Sequence, residues 1–297
     1  MKKNKLFFAT VGLIGMTLLA AACGQKKTDS SAFIGDQVKY EIIGIDPGAG
    51  IMKTTAQALK DYDLSDWKLV EGSGTAMTAA FDKAYKAQMP IIITGWTPHW
   101  MFSKYDLKYL EDPKGVYGGD EQIHTIARKG LKTDQPSAYT VLDRFEWTPG
   151  DMEKVMLAIS DGKKPEEAAV DWIKDNGGKV DEWVKDVPKA EGVKLKLAYV
   201  AWDSEIASTN LVKAVLESRL GFKVDLLQVE AGPMWAGIAG GDADAIVAAW
   251  LPTTHKDYYD KYKDKFEDLG PNLSGTKIGL AVPKYMEIGS IEDLKKK

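Results

Sequence analysis

Three tryptophans each end a stretch of sequence that is typical of a β-strand. Trp96 ends IIITGW, Trp202 ends KLKLAYVAW and Trp250 ends IVAAW. Ligands of open α/β sheets bind beyond the carboxyl ends of parallel strands, so we expect these indoles to lie at such sheet edges. Indole faces attract a cation without requiring a hydrogen-bond donor from it, which suits a quaternary ammonium group. The three positions therefore predict an aromatic box for a methylated cation.

A second candidate binding feature is the segment DPGAGIM, residues 46–52. Gly48 and Gly50 free the backbone just before a predicted helix, so the amides of Gly50 and Ile51 can point at an anion. The segment is neither a Walker A motif nor a dinucleotide fingerprint, and it suits a carboxylate better than a phosphate chain. His255, in IVAAWLPTTH, adds a polar side chain nearby. An aromatic box that faces these two amides and His255 predicts a zwitterionic ligand.

The other aromatic and histidine side chains are expected to have mainly structural roles. Four tryptophans are expected to pack in the protein core: Trp67, Trp172, Trp183 and Trp235. His124 is expected to pack or to form a hydrogen bond. His99 has two open interpretations, a cap on the loop of Trp96 or a place in the ligand cleft. The role of Trp100 also stays open.

The elements that must position these residues form a repeated pattern. Strands and helices alternate from residue 39, and the same order begins again at residue 194. This alternation implies parallel strands joined by right-handed crossovers. Each passage ends in Trp-x-Pro, at residues 96–98 and 250–252. The sequence therefore predicts two related α/β lobes.

The segments between and after the two passages suggest how the lobes are joined. A helix-rich stretch covers residues 135–187, and short strands are predicted at 122–130 and 276–285. Two lobes joined by two extended crossovers enclose a cleft, and clefts between domains are preferred ligand sites. The predicted aromatic box would lie in that cleft.

Composition excludes several classes of protein. The 297 residues suit two ordinary domains, and 44% hydrophobic with 28% charged residues is typical of a globular chain. The net charge of −4 argues against nucleic-acid binding, which needs clustered Lys and Arg. The sequence has neither a Gly-x-Ser-x-Gly elbow nor a His-Glu-x-x-His zinc helix. We therefore expect no catalytic residue, no metal site and no cofactor.

The N-terminus has the pattern of a secretion signal. Residues 1–23 contain a basic start, an apolar stretch and small residues before Cys23, the one cysteine of the chain. The setting LAAAC resembles the lipobox of bacterial lipoproteins, with Ala20 where Leu is most usual. The resemblance implies that Cys23 is lipidated and anchors the protein to the outer leaflet. The alternative is ordinary signal cleavage that leaves a free thiol. Residues 24–38 are predicted to be a flexible tether.

Five motifs resemble the glycine betaine-binding lipoproteins of osmoprotectant ABC importers in Gram-positive bacteria. They are GIDPGAGIM, IIITGWTPHW, YVAWDSEIAST, VEAGPMW and AAWLPTTH, and the resemblance runs from about residue 40 to the C-terminus. It implies an α/β, two-lobed periplasmic-binding-protein fold of the type with two crossovers (type II). It also implies that glycine betaine, and often proline betaine, binds in the closed cleft. The family's cage residues fall on Trp96, Trp202 and Trp250, and its carboxylate contacts fall on the amides of Gly50 and Ile51 and on His255.

The same resemblance implies an arrangement of the lobes and a set of partners. The chain looks circularly permuted relative to choline- and betaine-binding relatives. Lobe I would comprise residues 39–126 plus 272–297, and lobe II residues 127–271. The closed protein would dock on a membrane permease that has a separate ATPase. The expected location is the extracellular face of the cell membrane.

Three alternative functions are weighed against this interpretation. Choline would fit the aromatic box but would leave the polar groups without an anion, and carnitine carries both charges but needs more room. A lipid-anchored extracellular hydrolase would need a catalytic base, for which only His99, His124 and His255 are available. A purely structural or adhesive role would leave the tryptophans without a ligand.

Overall fold

The computed structural model describes residues 33–296 of the chain. The predicted signal peptide (1–23), the lipidation site at Cys23 and the predicted tether as far as residue 32 lie outside the described residues. Strands and helices alternate through most of the described range. No helix within residues 33–296 combines the length and the apolar character needed to cross a membrane.

Each strand and helix predicted in the two repeated passages is present, with ends that differ by a few residues. The strands are β1 (Glu41–Ile43), β2 (Lys68–Val70), β3 (Ile93–Thr97), β4 (Leu107–Tyr109), β5 (Glu121–Arg128), β6 (Lys194–Tyr199), β7 (Lys223–Gln228), β8 (Ala245–Leu251) and β9 (Phe266–Pro283). The helices are α1 (Ile34–Gln37), α2 (Gly50–Asp61), α3 (Gly74–Lys86), α4 (Trp100–Lys104), α5 (Leu131–Asp134), α6 (Pro136–Arg144), α7 (Pro149–Ser160), α8 (Pro165–Asp175), α9 (Gly177–Val184), α10 (Asp203–Leu220), α11 (Ala231–Gly240) and α12 (Lys256–Tyr262).

The first sheet contains β1, β2, β3 and β4 together with the end of β9. β1 pairs in parallel with β2 and β3, whereas β9 pairs antiparallel with β3 and β4. The apolar run Ile91–Ile93 is buried, as expected for a central strand with both faces covered. Because β1 and β3 are parallel, the loop after β1 and the end of β3 lie at the same edge of this sheet.

The second sheet contains β5, β6, β7 and β8 together with the start of β9. β6 pairs in parallel with β7 and β8, and β5 lies antiparallel between β8 and β9. All seven residues of β8 are buried. The carboxyl ends of β6 and β8 therefore meet at one edge, which carries the residues that follow each strand.

β9 belongs to both sheets and joins them. Residues 266–276 pair with β5, and residues 277–283 pair with β3 and β4. We call the part of the chain built on the first sheet lobe I and the part built on the second sheet lobe II. The predicted boundary between residues 126 and 127 falls inside β5, which pairs along its length within the second sheet. The two sheets confirm the predicted α/β class, whereas the lobe boundaries and the circular permutation stay predictions.

The tryptophans expected to pack in the core are buried. Trp172 and Trp183 stack with their ring centroids 5.9 Å apart, beside α10 of lobe II. Trp67 donates its indole N–H to the carbonyl of Leu294 at 3.0 Å. Trp235 is fully buried in α11. The sequence-based prediction of packing roles for these four is confirmed.

The end of the predicted tether is folded, which differs from the expectation for residues 33–38. Helix α1 lies within this segment, and Ile34 and Val38 pack on the hydrophobic core. The ring of Phe33 also lies against Tyr40, with centroids 6.2 Å apart. Burial of these apolar side chains favours an ordered helix over a flexible linker.

Candidate ligand-binding site

A small cavity lies between the two lobes. The empty space within it is about 270 Å³, a figure that includes space open to solvent. Six of the seven lining side chains are apolar or aromatic, and the residues are Ile45, Ile51, Trp96, Trp202, Trp250, Thr254 and Ile278. The lining suits a small solute with a large apolar surface.

The three tryptophans reach the cavity from strand ends in both lobes. Trp96 lies near the end of β3 in lobe I, and Trp250 lies near the end of β8 in lobe II. Trp202 follows β6 and is the residue just before α10. All three are nearly buried, with exposed fractions of 5%, 2% and 5% respectively. The structure therefore brings the three predicted cage residues together.

The cavity wall offers ring faces and methyl groups but little hydrogen bonding. Of the described residues that line it, none carries a charge, and Thr254 alone has a polar side chain. The indole nitrogens of Trp96 and Trp250 are buried without a hydrogen-bond partner among the described residues. A quaternary ammonium group fits such a wall because its methyl groups need no acceptor and its charge is attracted by indole faces.

His255 lies behind this wall and supplies a hydrogen-bond donor. Its Nδ1 accepts the backbone N–H of Trp250 at 3.0 Å, so the neutral ring carries its proton on Nε2. Burial lowers the pKa of His255 from its ordinary 6.5 to about 3, and the ring is therefore neutral at neutral pH. Nε2 is buried and has no hydrogen-bond partner among the described residues. A buried donor without an acceptor costs about 1–3 kcal/mol, which an anionic ligand could recover.

The His255 ring is held between two indoles. It stacks on Trp202 with centroids 5.5 Å apart and an interplanar angle of 13°. Trp235 contacts it edge-on at 5.7 Å. His255 does not itself line the cavity, but it contacts two residues that do, Trp202 and Trp250. Its imidazole is thus fixed in position next to the aromatic box.

The start of α2, which belongs to lobe I, also borders the cavity. Gly50 and Ile51 are its first two residues, and the preceding Ala49 provides no side-chain cap. The amides of a first helical turn have no acceptor within the helix, and the positive end of the helix dipole favours an anion there. Ile51 lines the cavity, whereas Gly50 does not. This arrangement suits a carboxylate.

Gly50 also permits a close approach of the two lobes. A Cβ atom placed on Gly50 would lie 1.8 Å from the carbonyl oxygen of Thr254. No side chain can be accommodated at that distance, so the contact requires glycine. The conformation described here is therefore one in which the lobes are closed around the cavity.

Glu121 organises the loop that carries Thr254, and sequence reasoning did not identify it. Its carboxylate accepts the backbone N–H groups of Thr253 and Thr254 at 2.8 and 2.7 Å and the hydroxyl of Thr254 at 2.7 Å. Glu121 is fully buried, so these bonds replace its hydration. No motif in the sequence marks it, because its partners lie 132 and 133 residues away.

Polar contacts connect the lobes around the cavity. The indole N–H of Trp202 donates to Asp46 at 2.8 Å, and the hydroxyl of Tyr258 donates to the carbonyl of Gly48 at 3.1 Å. Asp46 is part of the motif that suggested the anion site, but its type and position gave no reason to assign it a role. Each bond joins groups of different lobes and can form only when the lobes are closed.

The structure resolves the open interpretations for the other two histidines. His99 caps α4 by accepting the N–H of Met101 on Nδ1 at 3.2 Å, and it does not line the cavity. His124 bonds to Asp268 at 2.9 Å, as expected for a structural residue. Trp100 is buried beside the His99 ring. Within residues 33–296, no group of His, Cys, Asp or Glu has an arrangement that would hold a metal ion.

A family model matches most of the chain. It is described as the substrate binding domain of ABC-type glycine betaine transport system, and it covers residues 25–175 and 193–297.

Similar proteins are found among both characterised sequences and solved structures. The glycine betaine/carnitine transport binding protein GbuC of Listeria monocytogenes is 55% identical over 99% of each chain. A lactococcal OpuAC, solved in a closed form with glycine betaine, is 55% identical, with a TM-score of 0.49 over 53% of this chain and 62% of that one. An ABC-transporter choline binding protein, solved with choline, is 26% identical, with a TM-score of 0.44 over 52% of this chain and 55% of that one. In both structures the match spans less than two-thirds of the solved chain.

Proposed function

We propose that this chain, which belongs to the family of substrate-binding domains of ABC-type glycine betaine transport systems, binds glycine betaine between its lobes and delivers it to a membrane permease. The family is one of transport binding proteins and not of enzymes. Its fold is the predicted α/β periplasmic-binding-protein fold. We propose three further properties: glycine betaine as the ligand, a lipid anchor at Cys23 and delivery of the ligand to the permease.

One observation carries the choice of ligand. An uncharged aromatic wall is next to a buried imidazole donor and the start of a helix, which supports a cation site and an anion site side by side. A molecule that carries a trimethylammonium group and a carboxylate a few bonds apart satisfies both. Each cation–indole contact contributes up to about 2 kcal/mol when desolvated. Trp96, Trp202 and Trp250 would surround the cation, and His255 with the amides of Gly50 and Ile51 would hold the carboxylate.

Carnitine is the second candidate ligand. The Listeria relative is described as a glycine betaine/carnitine transport binding protein, and carnitine also carries both charges. Its longer chain needs more room than glycine betaine does, so the closed cleft is expected to favour glycine betaine. Proline betaine, whose charges are as close as those of glycine betaine, is expected to bind as well. Choline lacks the carboxylate and is expected to bind much more weakly.

Titration calorimetry of the wild-type protein tests the proposal. Glycine betaine should bind tightly, whereas choline (the cation without a carboxylate) and glycine (the carboxylate without methyl groups) should bind at least about 100-fold more weakly, since each leaves one end of the site unpaired. Carnitine and proline betaine are titrated in the same way, so that their affinities can be compared with that of glycine betaine. Equal affinities for choline and glycine betaine would contradict a site built for a zwitterion.

The transport cycle follows from the two-lobed arrangement. A ligand that contacts both lobes binds the closed state more tightly than the open state, and this difference drives closure. The closed shape would then be recognised by the permease, whose separate ATPase powers uptake. The lipobox-like sequence at Cys23 supports an anchor on the outer face of the cell membrane. Mass spectrometry of the mature N-terminus from membranes tests this, and an unmodified Cys23 thiol would contradict it.

A further inference from the structure

The three cavity indoles differ in how their N–H groups are used. Trp202 donates to the carboxylate oxygen Oδ2 of Asp46 at 2.8 Å. The indole nitrogens of Trp96 and Trp250 have no hydrogen-bond partner in the described part of the chain. A bond to an ionised acceptor is among the stronger hydrogen bonds of proteins. Trp202 is therefore the cavity indole whose ring orientation is tied to a specific polar contact.

The backbone around Trp202 explains why this indole needs such a contact. Trp96 and Trp250 lie within β3 and β8, where pairing with neighbouring strands fixes the backbone and the direction of the side chain. Trp202 lies between β6 and α10, outside both elements. Its ring orientation must therefore come from contacts with the rest of the molecule.

Two contacts together define that orientation. His255 covers one face of the Trp202 ring at a centroid distance of 5.5 Å. Asp46 holds the N–H edge of the same ring. A face contact and an edge bond together restrict both side-chain torsions of Trp202, which also lines the cavity. The imidazole belongs to lobe II, as the indole does, but the carboxylate belongs to lobe I.

The bond from Trp202 to Asp46 therefore crosses the cleft. Asp46 lies in the loop between β1 and α2 of lobe I, 156 residues from Trp202. When the lobes separate, the bond must break and the indole loses its edge contact. We propose that Asp46 is a positioning residue, which orients the Trp202 indole as the lobes close and so completes the aromatic box only in the closed state. This inference rests on the proposed function, because it assumes a cationic group in the box.

Two substitutions separate the hydrogen bond from other effects of the side chain. Asp46→Ala removes the acceptor, and Asp46→Asn keeps an oxygen that can accept the indole N–H. Asp46→Ala should weaken glycine betaine binding about tenfold or more, as expected for loss of a hydrogen bond to a charged group, and Asp46→Asn should stay within about threefold of wild type. Stopped-flow tryptophan fluorescence should assign the loss to faster dissociation, with little change in the association rate.

A second pair of residues that bridges the lobes provides a matched control. Lys104 and Asp161 form an ion pair of 2.7 Å between α4 of lobe I and the end of α7 in lobe II, away from the cavity. Their side chains are 38% and 56% exposed, so Lys104→Ala should change the affinity by less than about threefold. The melting temperature of each ligand-free variant should equal that of wild type, which separates positioning from a general loss of stability.

The outcomes distinguish this inference from the proposed function. If the wild-type protein fails to bind glycine betaine, the proposed function is wrong. If wild type binds and Asp46→Ala binds equally well, the proposed function stands and the positioning role is wrong. If Asp46→Asn is as weak as Asp46→Ala, the carboxylate charge matters and the hydrogen bond does not, which also overturns the positioning role.

Discussion

Two segments of the molecule look alike in sequence, and each supplies a cavity tryptophan, but their histidines form different contacts. One runs from Trp96 to His99 and the other from Trp250 to His255. In each, an apolar strand leads to a tryptophan, a proline follows two residues later, and a histidine comes soon after. Both histidines are buried, with exposed fractions of 2% and 0%. Burial alone does not separate their roles.

The hydrogen bonds of the two histidines separate them. His99 uses both ring nitrogens, since Nδ1 accepts from Met101 and Nε2 bonds to Asp203 at 3.2 Å. His255 uses Nδ1 to accept from Trp250, and its Nε2 has no partner among the described residues. Buried polar groups of proteins are nearly always satisfied, so an unsatisfied one next to a cavity is a candidate contact for a ligand. The hydrogen bonds of a buried histidine therefore indicate its role better than its sequence position does.

The largest predicted effect is on the pH dependence of stability and involves His255. Its pKa is about 3 in the folded protein, below the ordinary 6.5, because burial disfavours the charged ring. The unfolded chain takes up a proton below pH 6.5 and the folded protein does not. The stability from the neutral ring is thus fully present above pH 6.5 and is lost as the pH falls toward 3. The loss should be about 1.4 kcal/mol per pH unit, or about 5 kcal/mol over the whole interval.

Urea unfolding of wild type and His255→Asn between pH 7.5 and 4 measures this loss. The asparagine oxygen can accept the Trp250 N–H as Nδ1 does, but the side chain does not titrate. Subtracting one free-energy curve from the other removes the contributions of shared carboxyl groups such as Glu205, whose pKa is raised well above its ordinary value, mainly by burial. Parallel curves below pH 6.5 would show that the folded protein protonates His255 readily, contrary to its burial.

The next largest effect compares the tryptophans of the two segments. Trp96→Ala and Trp250→Ala should each weaken glycine betaine binding about 100-fold, because each removes a desolvated cation–indole contact and its apolar surface. Similar losses would show that the tryptophans of the two segments contribute equally to the box. Trp100→Phe is the control, since Trp100 adjoins His99 but does not line the cavity. Calorimetry that gave no loss for either cavity tryptophan would contradict the aromatic box.

Much of the fold could be predicted because its signals are local. Alternating strands and helices, glycine before α2 and apolar runs at β3 and β8 are all visible in short windows of sequence. Their placement at strand ends predicted that Trp96, Trp202 and Trp250 lie at sheet edges, and the resemblance to glycine betaine-binding lipoproteins implied that they form one cage. The folded end of the predicted tether was missed because residues 33–38 become helical only through apolar packing on the core.

The remaining features of the site depend on contacts between distant residues. Asp46 and Glu121 act on partners 156 and more than 130 residues away. Glu121 lies in no pattern typical of binding, and nothing in the segment DPGAGIM marks Asp46 as the partner of Trp202. The role of His99, which the sequence left open, likewise depends on whether a second acceptor, Asp203, lies within reach. These are properties of packing, which a single sequence does not display. Local pattern predicted which elements meet, and the structure was needed to find which polar groups remain unpaired.

The smallest predicted effect tests the two histidines directly. At pH 7.5, His255→Asn should weaken glycine betaine binding about tenfold, because the ligand carboxylate loses a charge-assisted hydrogen bond. His99→Asn keeps an acceptor for Met101 and loses a bond to Asp203, whose side chain is 27% exposed. It should therefore stay within about fivefold of wild type, as expected for a partly solvated pair. Choline affinity provides the second readout: it should be insensitive to His255→Asn, since choline has no carboxylate. If His255→Asn weakened choline binding as much as glycine betaine binding, the imidazole would support the aromatic box and not hold the anion. Both histidines would then have a structural role.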